Sequence, residues 1–468
     1  MKEKITFILI LFCISSHSQG RNYDQELFDY LYEKNIFKSI DFYFQYKDSL
    51  QHSFNHDYYR VFTDMYLNRV DSAVLHLPQF FDKYSAQYSE SVLSDATKFS
   101  LLEDLLNTTI ASENYDAVLK TLDYMKEFVN SSTWLAGVKD TLTSQLESLH
   151  NEYQKWGNFP FQLIDHSEDG CSILDLEMNV LPKIGVKLNE LTIPAVFDTG
   201  SNFSITMDKK MAQQIGVNIL EDYQSKTLNY IELNSAWGVL DSLQIGSIQF
   251  KNIPVYILEE SMFSRCLSDS LPEETIEKVD SITNQIQVFL GLPLISKLNH
   301  IQLDMENRKM IISLNKNNPT IESPNLFINR FLYINSTINN LDLVLLFDTG
   351  GQFGNTMMIN PYFYQENSSH FEIEEQTEKI AHCGLNGLLT SSLSKIKQLD
   401  LRIGSNRVNL NNEAIVVSSI EEENDTAKEH IKKNWLGCDF FKKIKSLTFD
   451  FKSMHMDFIT KNTERRCQ

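Results

Sequence analysis

Two short stretches of the sequence carry the same acidic tripeptide. The first reads PAVFDTGSNFSITM over residues 194–207 and the second reads VLLFDTGGQFGNTMM over residues 344–358, so that Asp198 and Asp348 have matching surroundings. One Asp-Thr-Gly is expected by chance in roughly one chain in ten of this length, and two copies with similar apolar flanks are roughly a hundredfold rarer. The tripeptides therefore indicate two related segments with one aspartate each.

These two aspartates suit paired-carboxylate chemistry. Two carboxyl groups held close together do not both ionise readily, so they share a proton and titrate in two well-separated steps. The ionised member can take a proton from water while the protonated member hydrogen-bonds a substrate carbonyl. Hydrolysis by this route forms no covalent intermediate and needs neither a serine nucleophile nor a metal ion. The structural alternative is that each aspartate caps a turn at the end of a strand.

The repeat extends well beyond the tripeptides. FLGLPLISKLNHIQLDMENRKM (289–310) matches WLGCDFFKKIKSLTFDFKSMHM (435–456), and the glycines Gly291 and Gly437 fall in register. A third pair of matching segments has an Ile-Gly dipeptide between apolar runs. Each half of the repeat therefore has the same order of features, an Asp-Thr-Gly, an Ile-Gly in a predicted hairpin and a Leu-Gly.

The elements that precede the repeat are predicted to be helices. Between Arg21 and Ala136 there is no glycine and the only proline is Pro78. Apolar residues recur three and four positions apart, which predicts stacked helical hairpins over 19–155. The segment ASENYDAVLKTLDYMKEF faintly resembles a tetratricopeptide hairpin, but without a clean 34-residue period a repeat solenoid stays a hypothesis. From Trp156 onward, short apolar runs alternate with Gly, Asn and Ser turns, which is typical of β-structure.

Two segments with an apolar-Asp-Thr-Gly and a later apolar-apolar-Gly resemble the lobes of the pepsin-like and retropepsin-like aspartic proteases. The resemblance covers about residues 160–460. It implies a multidomain fold of α plus all-β type, in which a helical-hairpin domain (19–155) precedes a bilobal aspartic-protease-like β-fold. The implied lobes span 160–318 and 324–461. Each is short and ends in a Leu-Gly segment like a retropepsin subunit, so the chain resembles two such subunits fused in tandem.

The same resemblance implies the residues of the site. In this family the Asp-Thr-Gly loops of the two lobes meet at a pseudo-twofold axis, and an apolar-apolar-Gly segment threads past each loop. By that analogy Asp198 and Asp348 are the catalytic pair, the threonines hydrogen-bond across the axis, and the glycines let backbone approach the carboxylates. No metal ion or other cofactor is expected. The implied supporting residues are Thr199, Gly200, Ser201, Thr349 and Gly350, and the implied loop-threading glycines are Gly291 and Gly437.

One position departs from the family pattern. Where the family usually has Ser, Thr or Ala after the glycine, the first lobe has Ser201 but the second has Gly351. Without a hydroxyl there, Asp348 is predicted to be the protonated member and Asp198 the ionised base. The predicted function is an exported aspartic endopeptidase acting on peptides or proteins. The alternative is a catalytically weak or inactive protease-like fold that binds a protein or peptide.

Two hairpins are candidates for a flap that covers the substrate. One spans about Leu228–Leu240 and contains the aromatic residues Tyr230 and Trp237. The other spans about His382–Leu389 and contains the sequence CGLNG, which suits a hairpin tip. Ordinary core packing of the aromatic residues and a plain tight turn are the structural alternatives.

Charge and the N-terminal sequence limit the expected partners and location. The net charge of −20 disfavours nucleic acid and anionic lipid. Residues 1–18 predict a signal peptide, with Lys2 and Lys4 before an apolar run and expected cleavage after Ser18. No later stretch is apolar enough to span a membrane. We therefore expect an exported protein, periplasmic or extracellular, whose helical domain is the expected place for a protein partner.

The cysteines and the remaining motifs give no other chemistry. Five cysteines follow the leader without any CxxC spacing, which favours one or two disulfides or buried thiols over a metal or redox site. HExxH, GxSxG and phosphate-binding GxxxxGK motifs do not occur. The paired aspartates therefore remain the centre of the predicted site.

Overall fold

The computed structural model describes residues 22–32, 35–84, 93–133, 135, 137–165, 170–179, 181–226, 232–259, 286–315, 323–351, 355–384, 387–420 and 433–461. The chain divides into two compact units. The first comprises Met1–Pro160 together with Glu322–Arg330, and the second comprises Phe161–Ile321 together with Phe331–Gln468.

The first unit consists mainly of helices. Polar side chains accept hydrogen bonds from backbone N–H groups at three helix starts, Asn35, Ser94 and Asn114, which satisfies N–H groups that the helix leaves unpaired. The apolar faces pack into one core in which Leu77 and Val118 are fully buried. The helices are α1 (Tyr23–Tyr32), α2 (Ile36–Tyr46), α3 (Ser53–Tyr66), α4 (Val70–Tyr84), α5 (Asp95–Ala111), α6 (Tyr115–Ser131) and α7 (Lys139–Gly157).

The second unit begins with the strands of the first lobe. Strand β4 lies parallel to β9, and β5 lies antiparallel to β9 and parallel to β8. Helix α8 (Lys209–Ile215) follows β5, and α9 (Leu292–Ser296) follows β9. The strands are β1 (Gln162–Asp165), β2 (Cys171–Met178), β3 (Pro182–Leu188), β4 (Leu191–Asp198), β5 (Ile205–Asp208), β6 (Asn218–Lys226), β7 (Glu232–Ile245), β8 (Ile248–Leu258), β9 (Val288–Gly291), β10 (His300–Asp304) and β11 (Lys309–Ser313).

A short strand from between the two predicted lobes belongs to the helical unit. Strand β12 (Leu326–Asn329) is part of the segment that clusters with the helices. Phe327 is 4% exposed, and its ring centroid lies 5.2 Å from that of Phe37 and 5.5 Å from that of Tyr66. The sequence placed the start of the second lobe at residue 324, so this packing on helices differs from what the repeat alone indicated.

The strands of the second lobe repeat the pairings of the first. Strand β14 lies parallel to β21, and β15 lies antiparallel to β21 and parallel to β20. Helix α10 (Pro361–Glu366) follows β15, as α8 follows β5. The strands are β13 (Phe331–Ile338), β14 (Leu341–Phe347), β15 (Met357–Ile359), β16 (Ile373–Gly384), β17 (Gly387–Ile396), β18 (Asp400–Ile403), β19 (Asn406–Asn409), β20 (Ala414–Ile420), β21 (Asn434–Leu436), β22 (Ile444–Asp450) and β23 (His455–Thr460).

One sheet joins the two lobes, with the strand order β23-β22-β10-β11-β2. Strand β10 pairs antiparallel with β22, and Gln302 lies opposite Thr448. These two residues occupy equivalent positions in the repeat, so a pseudo-twofold axis passes between them. The predicted fold class, a helical region followed by a bilobal β-fold, is confirmed.

Candidate active site

Each Asp-Thr-Gly follows a buried strand. Val196 and Phe197 at the end of β4 are 1% and 0% exposed, and Phe347 at the end of β14 is 0% exposed. These apolar side chains anchor the strands in the core, and each strand therefore fixes the backbone of the aspartate that follows. Asp198 lies opposite Gly291 across β4 and β9. The same structural context therefore positions both aspartates.

A reciprocal set of hydrogen bonds joins the two loops. Thr199 Oγ1 donates to Phe347 O at 2.8 Å, and Thr349 Oγ1 donates to Phe197 O at 2.7 Å. The backbone N–H of each threonine donates to the hydroxyl of the other, at 2.9 and 3.0 Å. Both threonines are fully buried, so loss of either partner would leave unsatisfied polar groups away from water. We call these four bonds the threonine grip.

The two carboxyl groups lie directly against the opposite loops. A Cβ atom added to Gly200 would lie 2.5 Å from Asp348 Cγ, and one added to Gly350 would lie 2.6 Å from Asp198 Oδ2. These distances are far below van der Waals contact, so only glycine fits at either position. Gly200 N donates to Asp198 Oδ1 at 2.8 Å, and Gly350 N donates to Asp348 Oδ1 at 2.9 Å. The glycines therefore allow each carboxyl to lie against the opposite loop, and their N–H groups donate hydrogen bonds to the carboxyls.

Burial raises the pKa of both carboxyl groups. For Asp198, the hydrogen bond from the Gly200 N–H is the largest of the effects that oppose this rise in pKa. For Asp348, burial raises the pKa well above its usual value, and the negative charge of Asp198 raises it further. The two side chains are also hydrogen-bonded to each other. These shifts favour the arrangement in which Asp348 carries the shared proton and hydrogen-bonds an ionised Asp198.

The residue after each glycine contributes its backbone to the pair. The Ser201 N–H lowers the pKa of Asp198, and the Gly351 N–H lowers the pKa of Asp348. Ser201 Oγ instead lies 3.5 Å from the carbonyl oxygen of Phe203, within its own loop. Asp348 is the member that the sequence predicted to hold the proton, but the causes are its burial and the charge of Asp198. The missing hydroxyl at position 351 is not needed to explain it.

The apolar-apolar-Gly segments contact both loops. Gly291 N donates to Ser204 O at 2.9 Å, and a Cβ atom added to Gly291 would lie only 2.8 Å from Ser201 O. In the second lobe, Gly437 N donates to Thr356 O at 3.0 Å. The structure thus brings the loop-threading glycines of the sequence prediction to the site, next to the residues that follow each aspartate.

The flap candidates correspond to two hairpins. Strands β6 and β7 form the first, whose tip, including Tyr230, lies outside the described residues; Trp237 lies on β7 opposite Tyr256 of β8. Strands β16 and β17 form the second, which contains His382–Leu389 except for residues 385–386 that lie outside the described part. That one of these two hairpins covers a bound substrate stays a prediction.

Within the described part of the chain, Cys438 is a buried free thiol. Burial raises the pKa of Cys438 to about 12, so this side chain stays protonated at neutral pH. Among the described residues, no group of three or more His, Cys, Asp or Glu side chains is arranged to hold a metal ion. Within the same residues, no helix is long and apolar enough to cross a membrane.

Two comparisons with known proteins give a match. Residues 184–294, which include the first Asp-Thr-Gly loop and Gly291, match the family model described as aspartyl protease. Over these residues the chain is similar to the aspartyl proteases. Among solved structures, this chain is similar to the crystal structure of a retropepsin-like aspartic protease from Rickettsia conorii. The two are 18% identical, with a TM-score of 0.20, over 33% of this chain and 92% of that one. A search of curated proteins gave no match.

Sequence reasoning did not find two features of the site. One is the pair of backbone N–H donors at Ser201 and Gly351, which every residue type except proline can supply. The other is an aromatic cluster of Phe203, Trp237 and Tyr256 beside the first loop. The sequence does show a phenylalanine five residues after each aspartate. It does not specify the strand register that brings Phe203 next to Trp237 and Tyr256.

Proposed function

We propose that this protein is an exported aspartic endopeptidase that hydrolyses peptide bonds with the carboxyl groups of Asp198 and Asp348. The placement of two hydrogen-bonded carboxyls from different lobes against each other is the observation that carries the proposal. An aspartate that only capped a turn would have no reason to be buried beside a second carboxyl, because that arrangement disfavours ionisation of both.

The protonation states of the pair suit the two halves of peptide hydrolysis. The ionised Asp198 takes a proton from a water molecule, whose oxygen attacks the carbonyl carbon of the substrate. Asp348 at the same time donates its proton to the carbonyl oxygen. The resulting tetrahedral intermediate breaks its carbon–nitrogen bond as the departing nitrogen receives a proton from Asp198. Asp348 then recovers its proton as the new carboxyl group forms.

The backbone around the pair keeps this geometry without a substrate. The threonine grip and the glycine N–H groups are made within the protein, so the carboxyls do not have to reorganise when a peptide arrives. The Gly351 position does not weaken this arrangement, because the backbone N–H is the group that reaches Asp348.

Digestion of a peptide library in H₂¹⁸O tests the proposed reaction. We expect each new C-terminus to carry one ¹⁸O atom after a single cleavage, because water attacks the carbonyl carbon directly. Asp198→Asn should give no products under the same conditions. Products that are trapped as adducts by an added amine nucleophile would indicate a covalent intermediate and contradict the mechanism.

Export is proposed from the N-terminal sequence, which lies outside the described residues. Its support is the short apolar run between Lys4 and Ser18 with lysines before it. N-terminal sequencing of the protein from the periplasmic or extracellular fraction should start at Gln19. Recovery of the chain only from the cytosolic fraction, with residues 1–18 still attached, would contradict export.

A further inference from the structure

Three aromatic rings lie together beside the first Asp-Thr-Gly loop. The ring of Phe203 stacks on Tyr256 with centroids 4.2 Å apart and planes inclined by 17°. Trp237 lies edge-on to both, 5.1 Å from Phe203 and 5.3 Å from Tyr256. Tyr256 is 2% exposed, whereas Phe203 and Trp237 are partly exposed. The rings of Phe203 and Trp237 are therefore partly accessible to a ligand, and both pack on the buried ring of Tyr256.

The cluster lies on the face of the sheet that carries the loop of Asp198. Ser201 Oγ lies 3.4 Å from Thr206 Oγ1, and Thr206 lies opposite Tyr256 across β5 and β8. Tyr256 in turn lies opposite Trp237 across β8 and β7. Because residues directly opposite each other in paired strands share a face, one row of side chains leads from Ser201 to Trp237. We call Phe203, Trp237 and Tyr256 the aromatic row.

The second lobe has the same strand pairings but different side chains. Met358 lies opposite Trp435 in β21, as Thr206 lies opposite Phe289 in β9. The next positions across the sheet, equivalent to those of Tyr256 and Trp237, are Ile415 and Lys395. Met358 and Ile415 belong to a buried cluster. The threonine grip and the carboxyl pair are thus closely symmetric, while the surfaces that flank them are not.

We propose that the aromatic row is a subsite that binds one large apolar side chain of the substrate and so fixes the direction of the peptide across the carboxyl pair. This proposal rests on the proposed protease function. A site with twofold symmetry treats the two directions of a peptide alike. An apolar side chain that is buried on only one side of the scissile bond removes that equivalence, because one direction then gains contact that the other lacks.

Cleavage profiles of a peptide library test the proposal directly. For the wild type we expect large apolar or aromatic residues to be enriched at one fixed position on one side of the cleaved bond. In Phe203→Ala and Trp237→Ala, the ratio of kcat/KM between matched Phe and Ala peptides should fall about tenfold. Trp237→Phe should keep most of the preference. Phe161→Ala is the matched control, because Phe161 is a partly exposed ring that packs on Phe250 instead.

A binding measurement separates this proposal from the question of catalysis. Two peptides with a hydroxyethylene group in place of the scissile bond, one with Phe and one with Ala at the preferred position, are titrated against each variant. The wild type should bind the Phe peptide about tenfold more tightly, and both alanine variants should lose that ratio while their circular dichroism stays unchanged. Absence of peptide cleavage would contradict the protease function alone. Equal ratios in the wild type and the alanine variants, in either assay, would overturn the aromatic subsite.

Discussion

At the scale of single residues, the burial that suits Asp348 to the proposed reaction should also lower the stability of the fold at neutral pH. Its pKa in the folded chain lies well above the usual value of 3.8, because of burial and the charge of Asp198. A group whose folded pKa is raised stabilises the fold below its unfolded pKa, and this stabilisation is lost as pH rises through the folded pKa. At pH values between the unfolded and the folded pKa, the fold therefore holds a proton that the unfolded chain releases.

Asp348→Asn should consequently be more stable than the wild type at pH 7, because the amide is neutral in both states. The difference in thermal midpoint should shrink as pH falls toward 3.8 and below. Asp175→Asn is the control, since the Asp175 side chain is 91% exposed in its ion pair with Lys309 and such pairs contribute little. A variant at position 348 that is less stable than the wild type at pH 7 would contradict the burial argument.

The hydroxyl of Ser201 should not tune the pH dependence of the pair. Its oxygen faces Phe203 O, whereas the Ser201 N–H reaches Asp198. Ser201→Gly keeps that N–H, so both limbs of the bell-shaped profile of kcat/KM against pH should stay where they are. A shift of either limb by more than about half a pH unit, which corresponds to roughly 0.7 kcal/mol, would show that the side chain does act on the carboxyls.

At the scale of elements, the threonine grip holds the two lobes together at the site. Thr199→Val and Thr349→Val each remove a hydroxyl that both donates and accepts a hydrogen bond across the lobes. Each should lower the stability of the second unit by about 1–3 kcal/mol. The double variant should lose less than the sum, because the hydroxyls serve one network.

Near-ultraviolet circular dichroism during urea unfolding gives these stabilities. Ser336→Ala is the matched control, since the buried Ser336 hydroxyl donates to Leu343 O at 2.7 Å within one hairpin. It should lower stability without disturbing the pairing of the loops, and its kcat should stay near that of the wild type. Threonine variants whose energies simply added would argue against a single shared network.

The segment that connects the lobes should also hold the helical unit to the rest of the chain. Phe327 is buried against Phe37 and Tyr66, and Arg330 Nη2 donates to Asn107 Oδ1 at 2.8 Å. A chain cut at an engineered protease site after α7 should therefore elute as one species under native conditions. Phe327→Ala, which removes about 3–5 kcal/mol of packing, should weaken that association. If the two fragments of the otherwise unchanged chain separated on a sizing column, the proposed role of this segment in holding the helical unit would be contradicted.

The sequence predicted some of these elements well, for identifiable reasons. The long stretch without glycine and with apolar residues three and four apart allowed the helices to be predicted. The repeat of Asp-Thr-Gly and Leu-Gly allowed the lobes to be predicted. The packing of Phe327 was missed because Leu326 to Ile328 also suits an ordinary strand, and contacts with helices more than 250 residues earlier leave no local pattern.

At the scale of the whole second unit, the two lobes have equivalent contacts near the pseudo-twofold axis and different side chains farther from it. Gln302 pairs with its equivalent Thr448, and the two threonines bond reciprocally. A tripeptide that must fit both loops at the axis tolerates little change, so the proximity of Asp198 and Asp348 could be predicted from the sequence, while their catalytic role stays a prediction. Phe203 and Trp237 lie farther from the axis, where each lobe can diverge, and their proximity depends on strand register that the sequence does not specify.

We propose that two carboxyls, one from each lobe, form one catalytic unit. The most direct test of this proposal is the turnover of a single peptide substrate by the wild type, Asp198→Asn and Asp348→Asn, measured side by side at the pH of maximal activity. Each variant should stay folded and fall below about one hundredth of the wild-type kcat, because either change removes a proton transfer that the reaction requires. If either variant retained more than about a tenth of wild-type turnover, far above what loss of an essential acid or base allows, the two-carboxylate account would be contradicted.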